Sequence, residues 1–126
     1  MAHPSARELT QVARHAGYHV AAIEQLRPNR WLLTLNDAAG ATILTLVQAR
    51  PLIGAADVQD LAEIVRLRRP DCGILLAYGG SFSPAAQRTF TELGAAHLRL
   101  CTTLPPATRQ DGGEALPVGR VLKPFP

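Results

Sequence analysis

The chain has 126 residues, of which 47% are hydrophobic and 18% are charged, and its formal net charge is +3. These values predict one globular domain with a hydrophobic core. They exclude a membrane-spanning helix, because no run of about 18 apolar residues occurs. The N-terminal residues lack the apolar region of a secretory signal, and Cys72 and Cys101 are too few for a disulfide framework. We therefore expect a cytoplasmic protein with free thiols.

The first part of the chain predicts one helix followed by three strands. Ser5 and Glu8 match a capping box at the start of the helix. Apolar residues then recur at helical spacing until Gly17, which is typical of a helix end. Short connections between the strands predict a meander. The strands are predicted at residues 18–24, 31–36 and 42–50.

The next part predicts helices that alternate with strands. Gly54 precedes a second amphipathic helix. Residues 72–78 (CGILLAY) are wholly apolar, which is typical of a strand covered on both faces in a parallel sheet. Ser83, followed by Pro84, is typical of the start of a third helix. A last strand is predicted at residues 96–101.

The resulting order, α-β-β-β-α-β-α-β, predicts an α/β fold with a mixed sheet flanked by helices. We assign residues 1–101 to this domain. Residues 102–126 are rich in proline and glycine and show no periodicity, so we assign them to an extended C-terminal tail.

Three stretches carry a family resemblance: LTLVQAR, IGAADVQDLAEIVRLRR and GILLAYGGSFSPAAQRTFTELGAAHLRL. In this order and spacing, over residues 5–101, they resemble the Mrr-type branch (type IV restriction endonucleases) of the restriction endonuclease-like, or PD-(D/E)xK, superfamily. The resemblance implies that superfamily's core and Mg²⁺-dependent hydrolysis of phosphodiesters. It implies an Asp and a Glu or Gln that hold the metal, and a lysine that helps to activate water. Gln48 matches the Gln position and Arg50 matches the lysine position.

The catalytic positions depart from the pattern of the family. Gln48 and Arg50 share one face of their strand, but the hairpin places Gln48 opposite about residue 30, where no acid occurs. Glu24 is the acid expected nearest to that edge. Arginine stays protonated, so Arg50 cannot act as a base, although it can hold a phosphate. We predict a degenerate site of Glu24, Gln48 and Arg50 without a resident cofactor, with Mg²⁺ only if the site is active.

The basic end of the second helix and the GGSFS turn are candidates for contacts with nucleic acid. Arginines bind backbone phosphates, and amides at a helix N-terminus attract anions. The plainer interpretations are a solvated helix end and an ordinary turn with a helix cap. The predicted nucleic-acid-binding residues are Arg50, Arg66, Arg68, Arg69, Ser81 and Ser83.

Three functions fit the sequence. The first is a DNA-associated domain of Mrr type in which cleavage is impaired or absent. The second is an active Mg²⁺-dependent DNA endonuclease. The third is a protein-interaction or oligomerisation domain that has lost DNA binding, which the modest net charge favours. The expected partners are DNA or a second copy of the chain, in a homodimer, and no membrane.

Overall fold

The computed structural model describes residues 4–107, which contain three helices and seven strands. Their order includes the predicted αβββαβαβ succession and adds two strands of two residues each, β4 and β6. In chain order the elements are α1 (Ala6–His15), β1 (His19–Arg27), β2 (Arg30–Asn36), β3 (Thr42–Gln48), β4 (Leu52–Ile53), α2 (Ala55–Arg68), β5 (Cys72–Ala77), β6 (Ser81–Phe82), α3 (Pro84–Leu93) and β7 (Leu98–Cys101).

Two of the helix starts predicted from local sequence are confirmed. The Ser5 hydroxyl accepts a hydrogen bond from the Glu8 amide at 3.1 Å, and the Ser5 amide donates to the Glu8 carboxylate at 3.0 Å. The Ser83 hydroxyl accepts from the Ala86 amide at 3.0 Å, with Pro84 in the first turn. Each cap satisfies an amide that has no partner within its helix. None of the helices within residues 4–107 is long and apolar enough to cross a membrane.

A mixed five-stranded sheet forms the centre of the fold. Its strand order is β1-β2-β3-β5-β7, and β4 pairs with β6 in a separate two-stranded sheet. Strands β1, β2 and β3 are antiparallel neighbours, whereas β3, β5 and β7 are parallel. The apolar strand β5 lies between two parallel neighbours and is buried along most of its length, as its composition predicts.

The two faces of the sheet bury separate apolar clusters. Helix α1 covers one face, where Leu9 and Ala13 pack against Leu33, Val47 and Ile74. Helices α2 and α3 cover the other face, where the buried residues are Leu46, Val58, Leu61, Val65, Leu75 and Ala86. The C-terminal end of β3 therefore lies close to the first turn of α2.

Strand boundaries differ from the sequence prediction at two places. Strand β1 continues beyond residue 24, because Arg27 still pairs with Arg30 across the tight turn to β2. Strand β3 ends at Gln48 instead of residue 50. Pro51 has no amide hydrogen with which to extend the ladder, and the chain instead turns away to pair β4 with β6.

The first residues of the predicted tail pack against the domain. The Ala107 amide donates to the Ala16 carbonyl at the end of α1, at 2.9 Å, and Ala107 is 5% exposed. Leu104 and Ala107 thus contribute to the core on the α1 face of the sheet. The rest of the predicted tail, residues 108–126, lies outside the described residues.

Arg69 ends α2 in the left-handed conformation, with φ 52° and ψ 53°. A side chain is strained there, so replacing Arg69 with glycine is expected to raise the free energy of unfolding by about 0.5–1 kcal/mol. Urea unfolding followed by circular dichroism measures the change. Arg69→Ala is the matched control, because it removes the same charge and keeps the strain. An equal gain in both variants would assign the effect to charge and contradict this prediction.

Candidate functional site

Gln48, the last residue of β3, lies at the centre of a polar group at the edge of the sheet. It pairs with Arg30 on β2, as the hairpin predicted, and with Ala77 on β5. Gln48 is only 2% exposed, although the apolar residues of α2 and the sheet surround this face. A buried amide needs partners for both its oxygen and its nitrogen.

Arg30 supplies one of these partners and binds two carboxylates as well. Its Nε donates to Gln48 Oε1 at 2.9 Å, its Nη2 to Asp57 Oδ1 at 2.8 Å and its Nη1 to Asp60 Oδ2 at 3.0 Å. The Arg30 side chain is 18% exposed. Because all three nitrogens of the planar guanidinium donate hydrogen bonds, the group is held in one orientation.

Asp57 is the acidic centre of the group. It lies in the first turn of α2 and is 3% exposed. Besides Arg30, it accepts from Gln48 Nε2 at 2.8 Å, from Arg50 Nη2 at 2.7 Å and from the Gly54 amide at 3.1 Å. Four donors, two of them cationic, explain how a carboxylate tolerates this degree of burial.

We refer to Arg30, Gln48, Arg50, Asp57 and Asp60 as the Arg30–Asp57 cluster. Two arginines and two aspartates give the cluster a formal charge of zero. Its outer members are partly open to solvent, since the Arg50 side chain is 44% exposed and the Asp60 side chain 48% exposed. Arg50 therefore presents a cation at the surface while Asp57 holds it from inside.

The backbone of the GGSFS turn lies against the segment that carries Arg50. The Ser81 amide donates to the Pro51 carbonyl at 2.9 Å, and Ser81 pairs with Leu52. A side-chain carbon at Gly80 would collide with the backbone of Arg50 and Pro51, so the two segments are in direct contact. The structure thus brings Arg50 and the exposed Ser81 together, whereas the Ser83 hydroxyl caps α3.

The basic residues at the end of α2 lie elsewhere. Asp57 and Arg68 are eleven residues apart on α2, which corresponds to about 16 Å along the helix axis. Arg66 forms an ion pair with Glu63. The structure therefore does not unite Arg66, Arg68 and Arg69 with Arg50 in one cluster, and carboxylates already neutralise part of the charge at that helix end.

Glu24 does not join the Arg30–Asp57 cluster. It pairs with Leu32 in the sheet, and its carboxylate lies 3.5 Å from Arg68. Both side chains are about half exposed. The acid that the structure places beside Gln48 is Asp57, from a helix, and not an acid from β1.

The cluster does not fit the Mg²⁺ ion that the family resemblance implies. Mg²⁺ takes oxygen ligands at about 2.0–2.1 Å in octahedral geometry. Here Gln48 Oε1 and one oxygen each of Asp57 and Asp60 already accept hydrogen bonds from the Arg30 guanidinium. Within residues 4–107, no three His, Cys, Asp or Glu side chains are grouped so that they could hold a metal ion. No step of a cleavage reaction through a metal can be derived from these residues.

Asp57 and Asp60 were not predicted as site residues from the sequence, although the helix that carries them was predicted. The sequence did contain one indication of Asp57. It lies next to Val58 and four residues before Leu61, and both of these residues belong to the buried apolar side of α2. A carboxylate on the edge of an apolar stripe needs a partner. Its position three residues after Gly54 also suits a contact with the helix N-terminus.

The two cysteines offer no activated nucleophile. Both are free and half-buried. Burial raises the pKa of the Cys72 thiol and of the Cys101 thiol above the ordinary value, and the lowering effect of the nearby Arg99 is smaller. A raised pKa reduces the thiolate fraction at neutral pH, and the thiolate is the reactive form.

Comparison with known proteins supports the fold. No known family profile matches the chain, and no curated protein is similar enough to be matched. Among solved structures, the chain is similar to EndoMS in its apo form, with a TM-score of 0.56 and 21% identity, over 79% of this chain and 44% of that chain. This likeness concerns the fold alone, and it fits the predicted restriction endonuclease-like core with its mixed sheet flanked by helices. The chain spans less than half the length of EndoMS.

Proposed function

We propose that this domain, a nuclease-like fold of Mrr type, binds the phosphate backbone of DNA through Arg50 and does not cleave it. The observation that carries the proposal is the Arg50 guanidinium, which Asp57 holds at 2.7 Å while 44% of the side chain stays exposed. Arginine has five N–H donors in a rigid fork. One donor anchors the group to Asp57, and the remaining donors can bind a phosphate oxygen.

The electrostatics of the cluster support this function. Asp57 and Asp60 alone would repel a phosphate, but Arg30 and Arg50 together neutralise them. An anion that approaches Arg50 therefore meets a cluster without net negative charge. The turn at Gly80 and Ser81 lies beside Arg50, and the hydroxyl of the exposed Ser81 is a further donor for a phosphate.

The chemistry of the cluster also supports the absence of cleavage. Arg50 stands where the family resemblance implies a lysine, and an arginine cannot take a proton from water at neutral pH. Arg30 stands opposite Gln48, where an acid would have to be for metal binding between the two strands. The proposal therefore assigns to this chain the binding part of a nuclease fold and no hydrolysis.

The test is fluorescence anisotropy of a labelled DNA duplex in EDTA at several salt concentrations. We expect salt-sensitive binding that Arg50→Ala weakens by roughly 10- to 100-fold, since hydrogen bonds to charged groups contribute about 1.5–3 kcal/mol. Loss of one phosphate contact also reduces the slope of log affinity against log salt by about one.

Arg14→Ala is the matched control, because it removes an exposed arginine from α1 on the opposite face of the sheet. An equal loss of DNA affinity in both variants would show that binding depends on net charge alone and would contradict a site at Arg50. Absence of binding at low salt by the folded protein would leave the third function, a protein-interaction domain. Cleavage of the duplex in Mg²⁺ or Mn²⁺ that Gln48→Ala abolishes would establish the active endonuclease instead.

A further inference from the structure

Three oxygen atoms from two elements converge on the Arg30 guanidinium. They are Gln48 Oε1 from the end of β3, and Asp57 Oδ1 and Asp60 Oδ2 from the first turns of α2, and each lies 2.8–3.0 Å from a different nitrogen. Carboxylate and amide oxygens are the ligands that Mg²⁺, Mn²⁺ and Ca²⁺ prefer. The oxygens are therefore of the type that binds a divalent cation, but they surround a planar guanidinium, and the protein fills the space between them with its own side chain.

We infer that Arg30 is a built-in replacement for a divalent cation: it keeps metal ions out of this oxygen cluster, and removal of its charge opens the cluster to Mn²⁺. Arg30 contributes one fixed positive charge where an ion would contribute two. Arg50 adds the second positive charge on the other oxygen of Asp57. The two arginines together match the charge of one divalent cation.

Displacement of Arg30 by an ion is unfavourable for two reasons. An incoming Mg²⁺ would have to lose part of its hydration shell, which it does reluctantly. It would also have to break three charge-assisted hydrogen bonds in a side chain that is only 18% exposed.

The cluster is expected to survive the loss of Arg30. Asp57 keeps three donors in the absence of Arg30, namely Arg50, the Gln48 amide and the Gly54 amide. The carboxylate is thus not left uncompensated. Such a variant exposes one partly open carboxylate, Asp60, beside a buried one, Asp57, which suits an ion that retains several waters.

The test uses the electron paramagnetic resonance signal of free Mn²⁺, which decreases when the ion binds protein. We expect the wild-type domain to leave the signal unchanged at millimolar Mn²⁺, and Arg30→Gln to bind Mn²⁺ at least about 10-fold more tightly. Arg27→Gln is the matched control, because Arg27 pairs with Arg30 in the sheet and is exposed. It removes the same charge and is expected to behave as the wild type.

The double variant Arg30→Gln with Asp60→Asn locates the ion, because it removes one of the two carboxylate charges and should lose most of the gained affinity. Wild-type binding that Asp60→Asn abolishes would overturn the inference, as would a folded Arg30→Gln variant without any gain. If Arg30→Gln does not fold, Arg30→Met, which keeps the aliphatic part of the side chain, takes its place. Binding of Mn²⁺ by the wild-type domain that Asp60→Asn abolishes overturns the inference whichever variant folds. DNA plays no part in these readouts, so this inference and the proposed DNA binding fail separately.

Discussion

Replacement of Asp57 with alanine is expected to reduce the free energy of unfolding by about 3–5 kcal/mol, the range for removal of one partner from a buried ion pair. Asp57 is 3% exposed and accepts four hydrogen bonds. Without it, the exposed Asp60 is the one counterion left to Arg30 among residues 4–107, and the buried Gln48 amide nitrogen loses its acceptor. Because domains of this size have about 5–15 kcal/mol of stability, such a loss removes about a fifth of it or more.

Asp60→Ala is the control for this measurement. Asp60 also contacts Arg30, but its side chain is 48% exposed, and exposed ion pairs contribute about 0–1 kcal/mol. Urea unfolding of both variants compares the two carboxylates on the same arginine. Equal losses would show that burial does not set the importance of Asp57, and would contradict its place at the centre of the cluster.

The elements of the fold could be predicted where the determinants are local. The helix starts at Ser5 and Ser83 could be predicted, because each capping hydroxyl lies within three residues of the amide that it binds. The opposition of Gln48 and Arg30 followed from the two-residue period of a hairpin with a recognisable turn. Strands β4 and β6 could not be predicted, because two residues are too few to show a period and their pairing depends on Gly80.

The composition of the candidate site depends on long-range packing, and sequence reasoning recovered only part of it. Gln48 and Arg50 were found from their strand. Arg30 was dismissed as a residue that is not an acid, although it makes contacts with Asp57 and Asp60 that span 27 and 30 residues. No local pattern shows which face of α2 will lie over the end of β3. Sequence reasoning therefore chose Glu24 as the nearby acid, whereas the crossing of α2 over the sheet brings in Asp57.

Arg30 and Arg50 have different roles in the cluster, because they differ in exposure to solvent. All three guanidinium nitrogens of Arg30 donate to protein oxygens, and its side chain is only 18% exposed. Arg50 donates to the same buried carboxylate but remains 44% exposed. One arginine thus balances charge inside the fold, while the other is available to an anion outside it. Replacement of Arg30 is therefore expected to impair the exclusion of cations, and replacement of Arg50 is expected to lower the affinity for DNA.

Replacement of Gly80 with alanine is expected to lower the free energy of unfolding by about 1–3 kcal/mol or more and to abolish DNA binding through Arg50. An added side-chain carbon would collide with the carbonyl oxygens of Arg50 and of Pro51, the latter at 2.8 Å. Backbone atoms cannot rotate away as a flexible side chain can, so the segment that carries Arg50 has to move. Urea unfolding and the anisotropy titration measure the two effects.

Gly79→Ala is the control, because Gly79 has φ +74° but open space around it. This variant should lower the free energy of unfolding by about 1–2 kcal/mol and preserve the affinity for DNA. Undiminished binding by Gly80→Ala would show that the contact between the turn and Arg50 does not position the phosphate site.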